Sequence, residues 1–374
     1  MKTYKSVAIL LMAFSFVACD KSTDGISEES QTTVTADYTI FLKGSNRLDT
    51  QILTSAQDGL VVKDETSAFV STPLRSLKYR TSEKISYYST SNCEATVQVY
   101  DVIKDTSIAL EVFTDLDVCS IEVTAMAHTD ESIFLSYVRE LEGKDRQYVL
   151  RFISLTEGTP TFVDIPLDER PVDLVPSTNR LFVLTLNEFV TDDFHLQVID
   201  IASRESLMEL DLGYDATKLF KNNLEEVIIS YPELHTTLDP VTLDKKYTMY
   251  GENTAPGFLT SKDFFIDSSG KLYFQKTIAS AAIATVPAIY DFQKNKTVVY
   301  LFENFLSETE LNVKYNIAAT TAIGFDEKND FILIGYQKKA QQDKGGILRI
   351  SPSPDLKIID NLDLDGVPQT IFVH

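Results

Sequence analysis

The run Asn361-Leu362-Asp363-Leu364-Asp365-Gly366 spaces three side-chain oxygens two residues apart and follows them with a glycine, as a calcium loop does. The loop then fails. Phe372 stands where a bidentate carboxylate is needed, and Pro368 interrupts the approach to it. Leu362 and Leu364 alternate with the acids, which is the pattern of an edge strand. Asp193 with His195, and Glu233 with His235, are the other ligand-type pairs, each without a second histidine nearby. With His128, His195, His235 and His374 scattered along the chain, a zinc site would need three distant loops to converge. No metal site and no cofactor are expected. Thr106-Ser107 and Ser280 have no neighbouring base, and the sequence holds no nucleophile elbow, Gly-rich phosphate loop or Cys-x-x-Cys pair. Asn295-Lys296-Thr297 matches a glycosylation sequon and reads as a hairpin turn. No catalytic residue is assigned.

The amino terminus carries a different chemistry. Lys2 and Lys5 precede an apolar run, Ser6 to Val17, that is shorter than the ~20 residues a spanning helix needs. A basic start, a short apolar core and a small residue before a cut site describe a secretory leader. Phe16-Val17-Ala18-Cys19 resembles the lipobox of bacterial lipoproteins, with Phe16 where Leu is usual and Val17 where Ser or Ala is usual. The resemblance implies cleavage after Ala18 and acylation of Cys19, which moors the mature chain to a membrane, the outer membrane by this reading. Residues 20–37 are polar and acidic and cannot bury enough apolar surface to offset their ordering entropy, so they read as a tether. The acidic tether is similar to those of surface lipoproteins of the Bacteroidota. The expected organisation is a leader over 1–18, an anchor and tether over 19–37, and a folded domain over 38–374.

The formal charge is −21, and losing Lys2 and Lys5 with the leader takes it to −23. Such a field opposes nucleic acid and anionic headgroups, so no nucleic-acid partner is expected. With Cys19 acylated, Cys93 and Cys119 remain, either bridged in an oxidising compartment or as two buried thiols.

Long helical periodicity is missing. Short runs of β-branched and aromatic residues are broken by Asp, Asn, Ser, Thr and Pro. Residues 127–167 and 175–213 repeat the same order of turn, strand, hairpin, strand, turn and strand. Ile133–Tyr137, Gln147–Ser154 and Thr161–Pro166 match Leu181–Leu186, His195–Ile201 and Ser206–Leu212 in turn, at an offset of about 47 residues, the size of a propeller blade. Six such units run from about residue 66 to 364. Asp37–Ser55 and Gly366–His374 are left over, and together they supply a seventh. The expected fold is therefore all-β: one β-propeller, closed by pairing the last strand with the first; six or eight blades are the alternative counts.

"VIDIASRESLMELDLGYDATKL" and "IPLDERPVDLVPSTNRLFVLT" resemble passages of the YVTN-type β-propellers, although no Tyr-Val-Thr-Asn occurs and Trp is absent. The resemblance carries fold and no ligand. Propellers bind over the central opening with the loops that lead into each innermost strand. Here those loops are expected to hold Tyr79, Asp117, Arg170, Tyr214, Asp215, Asn316 and Gln369. The function expected is a non-catalytic binding module that meets a protein or small-molecule partner at the envelope, accessory to an outer-membrane transport or surface assembly. The alternative is a propeller hydrolase, lactonase or lyase with its active site over the channel.

Overall fold

The computed structural model describes residues 34–374 except 57–58, 75–76, 142–145, 156–160, 253, 259–260, 262, 353 and 355. Cys19, the leader and most of the tether lie outside the described residues. The rest form seven antiparallel sheets in ring order, a seven-bladed β-propeller. Blade 2 runs from Leu77–Arg80 through Lys84–Ser91 and Glu94–Asp101 to Thr106–Glu111. Blade 3 runs Ile121–His128, Ser132–Glu140, Arg146–Ser154 and Thr161–Leu167; blade 4 runs Arg170–Ser177, Arg180–Leu186, Asp193–Asp200 and Ser206–Tyr214. Blades 5, 6 and 7 begin at Lys218–Lys221, Phe264–Ile266 and Ile317–Asp326 and end at Lys245–Met249, Lys296–Val299 and Lys357–Leu364.

Blade 4 shows why these residues make a ring. In its second strand, Leu181 and Val183 pack towards blade 3, against Phe134, Leu150 and Phe152. Phe182 and Leu184, one residue out of phase, pack towards blade 5 with Leu219, Val227 and Ile229. A strand alternates its side chains between two faces, so a strand apolar at every position needs a neighbour on each side. The fourth strand, Ser206–Tyr214, is the outer edge and is mostly exposed. The acid-rich stretch 361–366 ends blade 7 in the same role: Asp363 pairs with Lys338 at 2.6 Å and Asp365 with Lys344 at 2.9 Å, which is an edge strand and its turn, as its alternation implies.

Blade 1 is assembled from both ends of the chain. Val367–Val373 is its innermost strand, followed by Asp37–Lys43, Arg47–Ala56 and Gly59–Val62. Tyr38 pairs with Val373, Ile40 with Ile371 and Phe41 with Thr370. The closing strand is held closely by blade 7. A Cβ built on Gly335 would sit 2.7 Å from the Pro368 side chain, and one on Gly324 would sit 2.7 Å from Ile371, so both positions require glycine for the approach. The seam is also bridged by charge. Arg349, buried on the third strand of blade 7, bonds to Asp360 at 2.8 Å, to Ser55 Oγ and to Tyr38 at 3.5 Å. Asp360 also accepts the Leu60 N–H of blade 1 at 3.1 Å.

Two buried histidines tie stability to pH. His128 bonds Ser86 Oγ through Nδ1 at 2.8 Å, and His235 sits among Tyr250, Tyr290 and Phe292. Burial pushes each down to about 4, so both are neutral in the folded chain. The unfolded chain binds these protons near the ordinary histidine value of about 6.5, so stability falls as pH drops from there towards 4. The loss is roughly 3 kcal/mol per histidine at full protonation. Chemical denaturation at stepped pH should show this slope, and His235→Gln should flatten it.

Candidate functional site on the axial channel and loop face

Every innermost strand runs in the same direction, so the loops that lead into them gather on one face with the hairpins between second and third strands. This is the loop face. The hairpins between first and second strands make the opposite, turn face. Chain direction leaves on the turn face, where the Val34 N–H donates to Asn329 Oδ1 at 2.7 Å and Asn329 Nδ2 donates back to the Val34 carbonyl at 2.9 Å.

Most of the loop residues singled out by sequence lie on the loop face, with differing roles. Asp117 caps the short helical turn Val118–Ser120 by accepting the Cys119 N–H at 3.0 Å. Cys119 in that turn is bridged to Cys93 in the hairpin of blade 2, with the two Cα atoms 5.0 Å apart. Beside them a cavity of about 610 Å³ is lined by Leu77, Tyr88, Val118, Ile121 and Val123. Tyr214 ends blade 4 and is 65 % exposed. Asp215 and Asn316 take φ of 65° and 55°, left-handed turns that Asp and Asn tolerate before a new strand. Asn316 also accepts the Ala340 N–H at 3.0 Å. Arg170 and Tyr214 are the terminal residues of strands at that face, and two further positions expected in loops lie within strands. Tyr79 and Gln369 are strand residues, because blade 2 starts at Leu77 and the closing strand starts at Val367, directly after the Asp365-Gly366 turn. Tyr79 packs edge-on to His128, 5.2 Å between ring centres, and Gln369 bonds back to the carbonyls of Val367 and Pro368.

Arg170 is the cation expected there, and it is already paired. Nη2 lies 2.6 Å from Glu122 and Nη1 lies 3.3 Å from Glu188. Glu188 also takes Arg146 at 3.1 Å and the Tyr148 hydroxyl at 2.5 Å, and these hydrogen bonds hold its carboxyl below the usual range. The four charged groups cross the mouth between blades 3 and 4 as one chain.

Within the channel lies a second network that sequence reading missed. Lys78 Nζ of blade 2 meets Asp263 Oδ1 beside blade 6 at 2.7 Å, and Arg80 Nη1 meets the other oxygen at 3.4 Å. Blades 2 and 6 are three steps apart round the ring, so the clasp spans the channel. Blade 1 joins in, since Lys78 reaches Thr370 Oγ1 at 3.2 Å and Arg80 donates to the Ile371 carbonyl at 2.7 Å. The Arg80 guanidinium lies 4.2 Å over the Phe372 ring. Lys218 of blade 5 stands 4.4 Å over Phe264, and burial lowers its affinity for a proton. Asp173 is half-buried beside it, held by the Leu219 N–H at 2.9 Å, and desolvation raises its carboxyl. Lys78 and Asp263 are 185 residues apart, and no local pattern links them.

A third arrangement did carry a signal. Arg151 is wholly buried between blades 2 and 3, where it bonds Asp164 at 2.7 Å and Asp115 at 2.7 Å and rests on Phe113. Burial works against its charge, and the two carboxylates outweigh it. Arg151 and Arg349 are both third-strand arginines whose cross-strand neighbour on the fourth strand is an aspartate. "LRFIS" and "LRIS", each followed by an Asp eleven to thirteen residues after its Arg, would have revealed the pair had the units been compared position by position.

No protein-family model matches the chain, and no curated protein does. Solved structures do. A protein from Lactobacillus plantarum, Northeast Structural Genomics Consortium target LpR118, superposes with a TM-score of 0.53 at 11% identity, over 91% of this chain and 100% of that one. AztD from Citrobacter koseri aligns at a TM-score of 0.48 and 12% identity over 91% and 98% of the two chains, and TolB from Acinetobacter baumannii at 0.43 and 10% over 90% and 82%. At these identities the first likeness shows the propeller fold and nothing narrower.

Proposed function

We propose that the chain is an envelope lipoprotein, acylated at Cys19, whose propeller binds a partner on its loop face and transforms nothing. The observation that carries the non-catalytic half is the mutual pairing within the Asp263 and Glu188 networks, with Asp173 and Lys218 beside them occupied by the Leu219 N–H and the Phe264 ring. Asp263 is spent on Lys78 and Arg80, and Glu188 on Arg146 and Arg170, so these groups serve as struts between blades. A general acid or base needs a lone pair or proton directed at substrate, and these are directed at one another. The anchor half is supported by the lipobox resemblance of Phe16-Val17-Ala18-Cys19 and the basic, apolar leader before it. The likeness of the acidic tether to those of Bacteroidota surface lipoproteins favours an outer membrane of that kind. The partner is a protein or a small molecule of a transport or surface assembly.

Fractionation tests the anchor. Cys19→Ala should move the protein from the membrane pellet to the soluble fraction nearly completely, since several acyl chains at ~0.8 kcal/mol per buried methylene are lost together. Wild-type protein should also incorporate labelled palmitate. Retention of Cys19→Ala in the pellet would reject the anchor. For the binding half, a photocrosslinker at Phe189, 97 % exposed on the loop face, should capture a discrete envelope partner, and one at Lys328 on the turn face should not. Capture from the turn face alone would reject that half.

A further inference from the structure

The outer half of blade 4 carries a cluster that the networks above leave unused. Asp193 and His195 stand two residues apart on the third strand and so share one face; Asp211 is the cross-strand neighbour of His195 on the fourth strand. A carboxylate oxygen of each aspartate and a ring nitrogen of His195 all lie within 4.8 Å of one another. Sequence alone pairs Asp193 with His195 and stops, because the third member comes from the next strand rather than from a distant loop.

Two further features bear on what this cluster is for. Glu169, in the turn before blade 4, takes the His195 Nδ1 at 2.8 Å and also the Thr185 hydroxyl at 2.9 Å. A carboxylate on one ring nitrogen fixes the orientation of the ring and makes the other nitrogen a better donor, the arrangement that backs metal-binding histidines. The second feature is charge. Asp115, Asp164, Asp263 and Asp360 are each paired with an arginine. Among the described residues, Asp193, Asp211 and Glu169 have no ion pair with Lys or Arg; Asp211 Oδ1 accepts the Gly213 N–H at 2.8 Å, Asp193 accepts the Asn187 amide at 3.3 Å, and His195 is a cation only when protonated. One imidazolium cannot balance three carboxylates, and like charges set side by side on a sheet destabilise it.

We infer that Asp193, His195 and Asp211 form a site for a divalent cation of the zinc type, with Glu169 as the positioning residue behind His195. One nitrogen and two oxygens suit zinc, with a fourth position left to water or a partner's side chain. Bond lengths of about 2.0–2.2 Å place ligand atoms roughly 3.3 Å apart, so completing the set takes a small movement of the exposed Asp211, whose Oδ1 accepts the Gly213 N–H at 2.8 Å. The site lies beside Tyr214 and the Phe189 hairpin, so a bound cation would form part of the surface offered to a partner.

The test is calorimetric titration of the untagged, detergent-solubilised full chain with zinc chloride. Wild type should bind one equivalent saturably. Asp211→Asn and His195→Ala should each weaken that binding about 100-fold or more, and Glu169→Gln by about 10- to 100-fold with the stoichiometry kept. Far-UV dichroism and the melting temperature check that each variant is folded; Asp211→Asn, at an exposed edge, serves where His195→Ala does not fold. Failure of wild type to bind zinc saturably would overturn the site. So would a folded Asp211→Asn that binds as wild type does. Partner capture at Phe189 is read separately, so loss of this site leaves the binding-module reading standing and the reverse also holds.

Discussion

Arg349→Ala should destabilise the propeller by about 3–5 kcal/mol, the range for removing one member of a buried ion pair. For a domain of this size that is a fall of roughly 4–7 °C in melting temperature. The effect is large because Arg349 joins the ring where the chain's two ends meet: its partners are Asp360 in blade 7 and Ser55 and Tyr38 in blade 1. Removing it leaves a hole beside Phe331 and an aspartate facing that hole with only the Leu60 N–H to bond. Burial works against the guanidinium charge and Asp360 more than offsets it, so the pair stands or falls together. A double variant, Arg349→Met with Asp360→Leu, should recover part of the loss, since an apolar pair has no charge to desolvate while the Ser55 hydroxyl and the Leu60 N–H still lose their partners. Denaturant titration of the three proteins decides this. Equal stability of Arg349→Ala and wild type would show that the seam does not depend on the pair.

Deleting residues 367–374 should have the greater effect. The closing strand covers Tyr38, Ile40 and Phe41, all fully buried, and leaves an unpaired strand edge when it goes. It also removes Thr370, the Ile371 carbonyl and the Phe372 ring from under Lys78 and Arg80, so the channel clasp loses its blade 1 partners. The truncated chain should lose its cooperative melting transition, bind a hydrophobic dye and aggregate at the open edge. A peptide of residues 366–374 added in trans should restore part of the transition. A truncated chain that melts as the full one does would mean that blade 1 is complete without the tail.

The repeat and its closure were legible in sequence because both rest on local patterns. Apolar runs such as Leu181–Leu186 and turns such as 178–179 report their own strands, and the unmatched strands at the two ends could only complete each other. The charged networks were not legible. Lys78 and Asp263, or Arg170 and Glu188, meet because separate blades curve towards a common axis, and their spacing along the chain says nothing of that. Arg170 is expected in the loop that enters blade 4 and stands as the first residue of that blade's innermost strand, while its neutralisation by Glu122 and Glu188 depends on partners supplied by blade 3 and by another loop. Asp211 escaped notice for the opposite reason. It is only a hairpin away from His195, but an exposed aspartate on an edge strand has the same sequence pattern whether or not it faces a ligand.

Closure of the ring is the claim on which the loop face, the channel and the seam all depend. Hydrogen exchange read by mass spectrometry on the amides of 38–43 and 367–373 tests it most directly. The account predicts that both segments are protected as strongly as the second strands of blades 4 and 7, and that they exchange together when denaturant is added. Exchange of 367–373 at the rate of an exposed loop, with 38–43 as open as an outer strand, would contradict it.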